Sequence, residues 1–439
     1  MKNLPDQQEA IATISKLSHE GRGIAYINGK ATFINNALPG EEVRFRYTRR
    51  KSQFDEGNLL EVIKASPDRV SPPCAVYGTC GGCSLQHIAP QAQIKFKQQV
   101  LAEQFQHFGQ VAPKEWLEPL QAEVWGYRHK GRLSVKFVPK KGGAMVGFRE
   151  TEPRYITDMQ RCEILHPLLG ERIQLFRGWI GSLDSASEIP QLEVAVDDTR
   201  AAIIIRHLEP LSSKDIEKIR EFAKQYEFWI YLQPKGPDSI HLFYPEQEND
   251  LLSYSLPNYQ IEMRFHPNDF TQVNMPLNRK MVDLAIELLD IKPDERVLDL
   301  FCGLGNFTLA LARHAREVVG VEGDNKMTER AALNAKLNHL DNVSFYMANL
   351  FEEVSSQAFM KTTYDKVLLD PPRAGAEQIV AQLAQLKAKK IVYISCNPAT
   401  LARDAGILVN QLGYRLEKAG VMDMFPHTSH VESIALFVK

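Results

Sequence analysis

The sequence predicts a three-part α/β protein: a small N-terminal β-barrel, a mostly-β centre and a doubly wound C-terminal domain. Three observations carry this reading. Short β-rich runs separated by tight turns fill the first 65 residues, and a proline-marked segment follows at Ser66-Pro67 to Pro72-Pro73. From Lys280 onward helical and strand patterns alternate, as in a parallel sheet wrapped by helices. A chain of 439 residues has room for two or three such units. The boundaries read as 1–65, 74–265 and 266–439, with a helical segment at 86–117 expected to pack on the third unit.

The barrel rests on five predicted strands, over 10–14, 23–27, 31–34, 43–47 and 59–63. Asn28-Gly29 between two such runs is a hairpin signal. Small closed barrels of this kind commonly bind RNA or oligosaccharides. Its fourth strand runs into Arg49-Arg50-Lys51, a basic edge.

Overall charge is close to neutral, with 52 Lys+Arg against 54 Asp+Glu, and 44% of residues are hydrophobic. That balance excludes a disordered chain and a globally basic nucleic-acid coat. Cations concentrate locally instead. From Val124 through Arg149 there is no acid, while Arg128, Lys130, Arg132, Lys136, Lys140, Lys141 and Arg149 are basic, a pattern suited to grasping a polyanion. Met1–Gln7 lacks an apolar core, and the best apolar run, Ala201–Ile205, is short and flanked by Arg200 and Arg206. The expectation is a cytoplasmic protein with no signal peptide and no membrane span.

Six cysteines in so long a chain do not form a secreted disulfide framework. Cys74, Cys80 and Cys83 cluster in a Gly/Pro-rich loop, Cys162 stands alone, and Cys302 and Cys396 lie in the last third. Read by spacing, the cluster could hold zinc, although zinc sites usually offer two Cys-x2-Cys pairs.

In the C-terminal domain ligands are expected beyond the carboxyl ends of the strands. Asp299-Leu300-Phe301-Cys302-Gly303-Leu304-Gly305-Asn306 joins a strand to a helix, and Thr308 stands where a dinucleotide fingerprint would have its third glycine. Glu322 ends the next strand, placed to hold a ribose. This combination suits S-adenosylmethionine better than NAD. Two further strand ends carry Asp370-Pro371-Pro372-Arg373-Ala374-Gly375 and Ser395-Cys396-Asn397-Pro398-Ala399-Thr400. Asn397 is a good N-cap and Pro398 suits the first helical position, which predicts a helix start that lowers the Cys396 thiol pKa.

These two strand-end motifs together resemble the RNA (uracil-C5)-methyltransferase family. Phe270-Thr271-Gln272-Val273-Asn274 resembles the motif that opens the family's cofactor domain. Gly21-Arg22-Gly23-Ile24-Ala25 and Leu38-Pro39-Gly40-Glu41 resemble a TRAM domain, so the likeness spans essentially the whole chain. It implies a Rossmann-like, SAM-dependent methyltransferase domain preceded by an OB-like TRAM barrel and a central iron–sulfur domain. It also implies roles: Cys396 as nucleophile, Glu432 as general base, and Gln272, Phe301, Asn306, Glu322, Asn349 and Asp370 against S-adenosyl-L-methionine. Without the family pattern Glu432 would read as a solvated strand-end acid. Cys74, Cys80, Cys83 and Cys162 match the family's ligands for a [4Fe-4S] cluster, with a structural or RNA-contacting role.

Barrel plus cluster is the arrangement of the branch acting on large-subunit ribosomal RNA. The implied function is methylation of C5 of one uridine in 23S ribosomal RNA by a monomer with no protein partner. The rival readings are the same chemistry on a tRNA uridine, an amino-group methyltransferase, and a non-catalytic iron–sulfur RNA-binding protein. Arg373, where an amino-group enzyme has an aromatic, and Cys396 argue against the second; Cys396 and Glu432 together argue against the third.

Overall fold

A computed structural model describes residues 8–247 and 249–439; the opening heptapeptide read above lies outside them, as does the side chain of Lys141. The N-terminal strands Glu9–Thr13, Lys16–Leu17, Gly23–Ile27, Lys30–Asn35, Glu42–Arg50 and Phe54–Lys64 form one six-stranded sheet. That is one strand more than the five expected, the addition being the two-residue Lys16–Leu17. The hairpin turns at Asn28 and Gly29, whose φ of 50° and 80° are the left-handed pair a two-residue turn needs. Ile14, Ala25, Ile34, Val43, Phe45 and Tyr47 fill the interior. Buried Glu41 ties this unit to the following linker, accepting from Leu38 N (2.8 Å), Ser66 N (3.2 Å) and Arg69 Nε (2.5 Å).

The central sheet runs, in spatial order, His241–Tyr244, Phe228–Gln233, Ala201–Arg206, Gln191–Val196, Lys130–Val138 and Gly143–Gly147. The centre is less purely β than expected. Ala201–Arg206 and Phe228–Gln233 pair in parallel, so the chain crosses over through the helix Ser213–Tyr226. Its signals were in the sequence: Ser212 caps the start by accepting from Asp215 N, and Ile219, Phe222 and Ala223 make its buried face. The hairpin Leu252–Leu256 and Ile261–Phe265 packs in one apolar cluster with Met275, Leu277, Met281 and Val282 of the helix Met275–Leu289. By packing, it therefore groups with the C-terminal domain, ahead of the expected boundary at 266.

That domain is built on an eight-stranded sheet. In spatial order the strands are Val343–Met347, Glu317–Glu322, Arg296–Leu300, Lys366–Leu369, Lys390–Ser395, Glu432–Val438, Arg415–Met422 and Glu115–Trp116. The first five are parallel, and Glu432–Val438 enters antiparallel beside Lys390–Ser395. The helix Pro90–Gln104 packs its Ile94, Phe96, Val100 and Leu101 into the core of this domain, and Glu115–Trp116 extends its sheet. Residues 90–117 thus belong to the C-terminal domain in space though not in sequence. No helix among the described residues is long and apolar enough to cross a membrane.

Candidate active site

The glycine turn follows the strand Arg296–Leu300. Phe301 sits at φ 66°, a left-handed conformation unusual for a side chain of its size, and Gly305 at φ 96°. Asn306 is held by Tyr254, whose hydroxyl donates to its Oδ1 (2.9 Å), and by reciprocal 2.9 Å amide bonds with Asn278. Both Glu322 oxygens receive backbone N–H groups, Oε2 from Gly303 (3.0 Å) and Oε1 from Gly323 (2.7 Å) and Asp324 (3.1 Å). Thr308 has a physical reason to replace glycine: its hydroxyl donates to Asp299 Oδ2 at 2.5 Å, tying helix to strand. Burial pushes the Asp299 carboxyl up to about 8, so it is largely protonated at neutral pH. Gln272 is half-buried and Asn349 exposed, the latter accepting from Phe351 N and donating to Glu352 Oε1. Cys302 is buried in the core and its thiol pushed far up by that burial.

Strand register brings two acids and a thiol to one corner. Ser395 pairs with Ser433, so Glu432, at the start of its strand, lies opposite Cys396. Leu369 pairs in parallel with Tyr393, which sets Asp370 alongside the end of the same strand. Asn397 caps the helix Pro398–Asn410 by accepting from Ala399 N (3.2 Å), as its sequence predicts, and donates to Arg373 O (2.8 Å), joining the two loops. Asp404 of that helix accepts from Ala376 N (2.7 Å) and the Tyr393 hydroxyl (2.6 Å), bracing the corner from behind.

The electrostatics depart from expectation. The helix start was expected to lower the Cys396 pKa. Instead burial, followed by Glu432 and Asp370, pushes the thiol up to about 11, with Arg373 opposing. Burial dominates and the two acids add to it, whereas the helix end offers only partial charge. Glu432 is also held far above the usual carboxylate range by burial and by Asp370, against an opposing Lys97. Asp370 rises to about 7 through burial alone.

Cys74, Cys80, Cys83 and Cys162 line one cavity of about 20 Å³ with Tyr77, Gln86, Phe148 and Arg161. All four are free thiols. Burial raises Cys83 to about 12, with Cys162, Cys80 and Cys74 contributing. A metal-holding group of three or more His, Cys, Asp or Glu is absent among the described residues. The donor set nonetheless fits a sulfur-ligated centre in chemistry: four soft thiols line one space, and the one carboxylate that lines it with them, Glu163, is paired to Arg161 at 2.9 Å.

The basic segment is less available than its sequence implies. Arg128 turns inward, donating to Lys130 O and lying over Phe148. Lys130 donates to Asp269 O, and burial lowers it to about 8. Arg132, Lys136 and Lys140 remain exposed, Arg132 paired to Glu193 at 3.2 Å.

A model described as tRNA (Uracil-5-)-methyltransferase matches residues 241–439, and one for the TRAM domain matches 8–60. A protein of Legionella pneumophila (strain Lens), named 23S rRNA (uracil(1939)-C(5))-methyltransferase RlmD, is 54% identical over 429 residues, covering 98% of this chain and 97% of that one. The chain belongs to the RNA (uracil-C5)-methyltransferase family. A second RlmD, from Alcanivorax borkumensis, is 53% identical over 438 residues, covering 100% of this chain and 98% of the relative. The Pyrococcus abyssi tRNA (uracil-54, C5)-methyltransferase, solved with S-adenosyl-L-homocysteine, shares the family fold with a TM-score of 0.74 at 24% identity, covering 98% of this chain and all of that one.

Sequence reasoning missed one element of this family member's site. Lys97 and Asp423, both buried, form an ion pair of 2.6 Å beside Glu432. The available signal was a lysine on the apolar stripe of Ile94, Val100 and Leu101.

Proposed function

We propose that this protein methylates C5 of one uridine in 23S ribosomal RNA, with S-adenosyl-L-methionine as methyl donor, Cys396 as nucleophile and Glu432 as general base. The observation that carries this reading is the convergence of Cys396, Glu432 and Asp370 on one corner of the sheet. C5 of uracil is too weak a nucleophile to take a methyl group unaided. Cys396 Sγ adds to C6, and the ring electrons move to give an enolate whose C5 is nucleophilic. The donor supplies a methyl group on a sulfonium, and C5 attack leaves S-adenosylhomocysteine. Glu432 then removes the C5 proton, the C5–C6 double bond re-forms and the thiolate leaves.

The raised pKa values fit this order of events. Cys396 is held as a thiol, so its proton must pass to solvent before the thiolate can add to C6. A carboxylate desolvated beside Asp370 is a stronger base for a carbon-bound proton than one in water. Gln272, Phe301, Asn306, Glu322, Asn349 and Asp370 are assigned to the cofactor, with the fixed carboxylate of Glu322 suited to the ribose hydroxyls.

We assign Cys74, Cys80, Cys83 and Cys162 to a [4Fe-4S] cluster, which would supply structural cross-linking of loops. Methyl transfer itself needs no redox step. Ser84 and Leu85, immediately after Cys83, both donate to His427 O, so order in the cysteine loop reaches the segment leading to Glu432.

The test is transfer of labelled methyl from S-adenosylmethionine to unmodified 23S ribosomal RNA and to tRNA. Label recovered as 5-methyluridine from ribosomal RNA is expected. Label in tRNA alone would replace the substrate, and label in neither would overturn the reading.

A further inference from the structure

Lys97 is a fully buried cation in the apolar face of a helix, an arrangement that packing does not call for. Its Nζ donates to Asp423 Oδ1 at 2.6 Å and to Phe425 O at 2.9 Å. Neither side chain reaches solvent, at 0% and 3% exposure. A buried ion pair is commonly no better for stability than apolar side chains of the same volume, so its presence asks for another reason. One turn earlier on the same helix, the Gln93 amide accepts from His427 N (2.8 Å) and donates to Ile88 O (2.8 Å). Gln93 and Lys97 together grip the segment from Asp423 to His427 that leads into Glu432.

The pair lies against the proposed base. Met422 is the register partner of Glu432, so Asp423 follows directly on the residue beside it. Glu432 is 4% exposed, and its carboxyl makes no hydrogen bond among the described residues. Around this corner stand Asp370, Cys396, Asp423, His430, Arg373 and Lys97. Of these, Asp370 disfavours charge on Glu432, and Lys97 is the cation that favours it. Arg373 acts on Cys396 and on His430 instead.

We propose that Lys97, fixed by Asp423 next to the register partner of Glu432, is a positioning residue whose ammonium eases ionisation of that carboxyl, so that Glu432 can accept the C5 proton. Lys97 neither gives nor takes a proton in the cycle. The proposal rests on the reading of Glu432 as base, and its test must tell the two apart.

The experiment follows breakdown of the covalent RNA–enzyme adduct against pH in single turnovers, for wild type, K97M, K97M/D423L and E432Q. The double variant removes both charges, so it does not bury an unpaired carboxylate and remains foldable. Loss of the cation makes Glu432 harder to ionise. The acid limb of breakdown in both Lys97 variants should therefore move up by about 1 pH unit or more, with adduct accumulating below it and wild-type rates recovered at higher pH. A uniform fall in rate without a moved limb would mean that the pair is only structural, and would overturn the proposal. So would a limb displaced in K97M but not in K97M/D423L, since stranded Asp423 would then be the cause. E432Q reports on the reading beneath: turnover without trapped adduct would overturn the base assignment, whereas trapped adduct with an unmoved K97M limb would overturn Lys97 alone.

Discussion

Cys396 and Cys83 are both buried thiols, pushed up to about 11 and about 12, yet they sit in opposite company. Beside Cys396 stand two carboxyl groups and the opposing Arg373. Beside Cys83 stand three other thiols. The corner around Cys396 is built from strand ends whose register fixes each group, whereas the cysteine pocket is built from loops that close on one another. Burial alone therefore does not say what a thiol is for; its neighbours do. Acids around a lone thiol disfavour its ionisation. In a ring of thiols a bound metal would reverse the local logic by stabilising every thiolate at once.

Metal in the cysteine pocket would be the largest difference between its thiols and Cys396. Prepared without oxygen, the protein should carry about four irons per chain, and Cys83→Ser should lose them and weaken RNA binding more than cofactor binding. Iron and optical analysis of both proteins checks this; stoichiometric zinc without iron would remove the cluster from the account.

Asp370→Asn probes the acids around Cys396. Asp370 is raised to about 7, so the folded protein holds this proton more tightly than the unfolded chain. Its stabilising contribution is complete below the unfolded value near 4 and lost as pH rises through about 7. The asparagine variant should thus be more stable than wild type at pH 8, by about 2 kcal/mol after allowance for partial exposure, with the gap closing toward pH 4. Denaturant titrations across that range measure it. A variant no more stable at pH 8 would show that the corner is not strained by its acids.

A smaller effect is expected from the exposed part of the basic segment. Replacing Arg132, Lys136 and Lys140 with Ala should weaken RNA binding and flatten its salt dependence by up to about 2 in the log–log slope. Binding isotherms at several salt concentrations decide it, and an unchanged slope would make this face idle.

Much of the site was legible in the sequence where local chemistry decides structure. The glycine turn before Asn306, the Asn397 cap and the Pro398 helix start are short-range features, and the structure has them as read. Glu432 was legible only through family resemblance, because antiparallel register across some thirty-six residues is what places it opposite Cys396. The direction of the Cys396 pKa was misread because burial is a property of the whole fold, and the helix end is a weak local term against it. Lys130 was misread for the same reason: a cation in a basic run looks free until a carbonyl from residue 269 closes over it. The crossover helix at Ser213–Tyr226 was overlooked among β-rich runs, although its cap and apolar spacing were present.

Cys396 and Glu432 are assigned to different ends of one covalent cycle. A denaturing gel with labelled 23S RNA fragment and S-adenosylmethionine, run for wild type, Cys396→Ala and Glu432→Gln, tests it directly. Cys396→Ala should give neither product nor adduct, with turnover below about 10⁻⁴ of wild type. Glu432→Gln should form the methylated C6 adduct and stall, leaving a denaturation-resistant RNA–protein band. An adduct in Cys396→Ala, or Glu432→Gln turning over at the wild-type rate with no such band, would contradict the account.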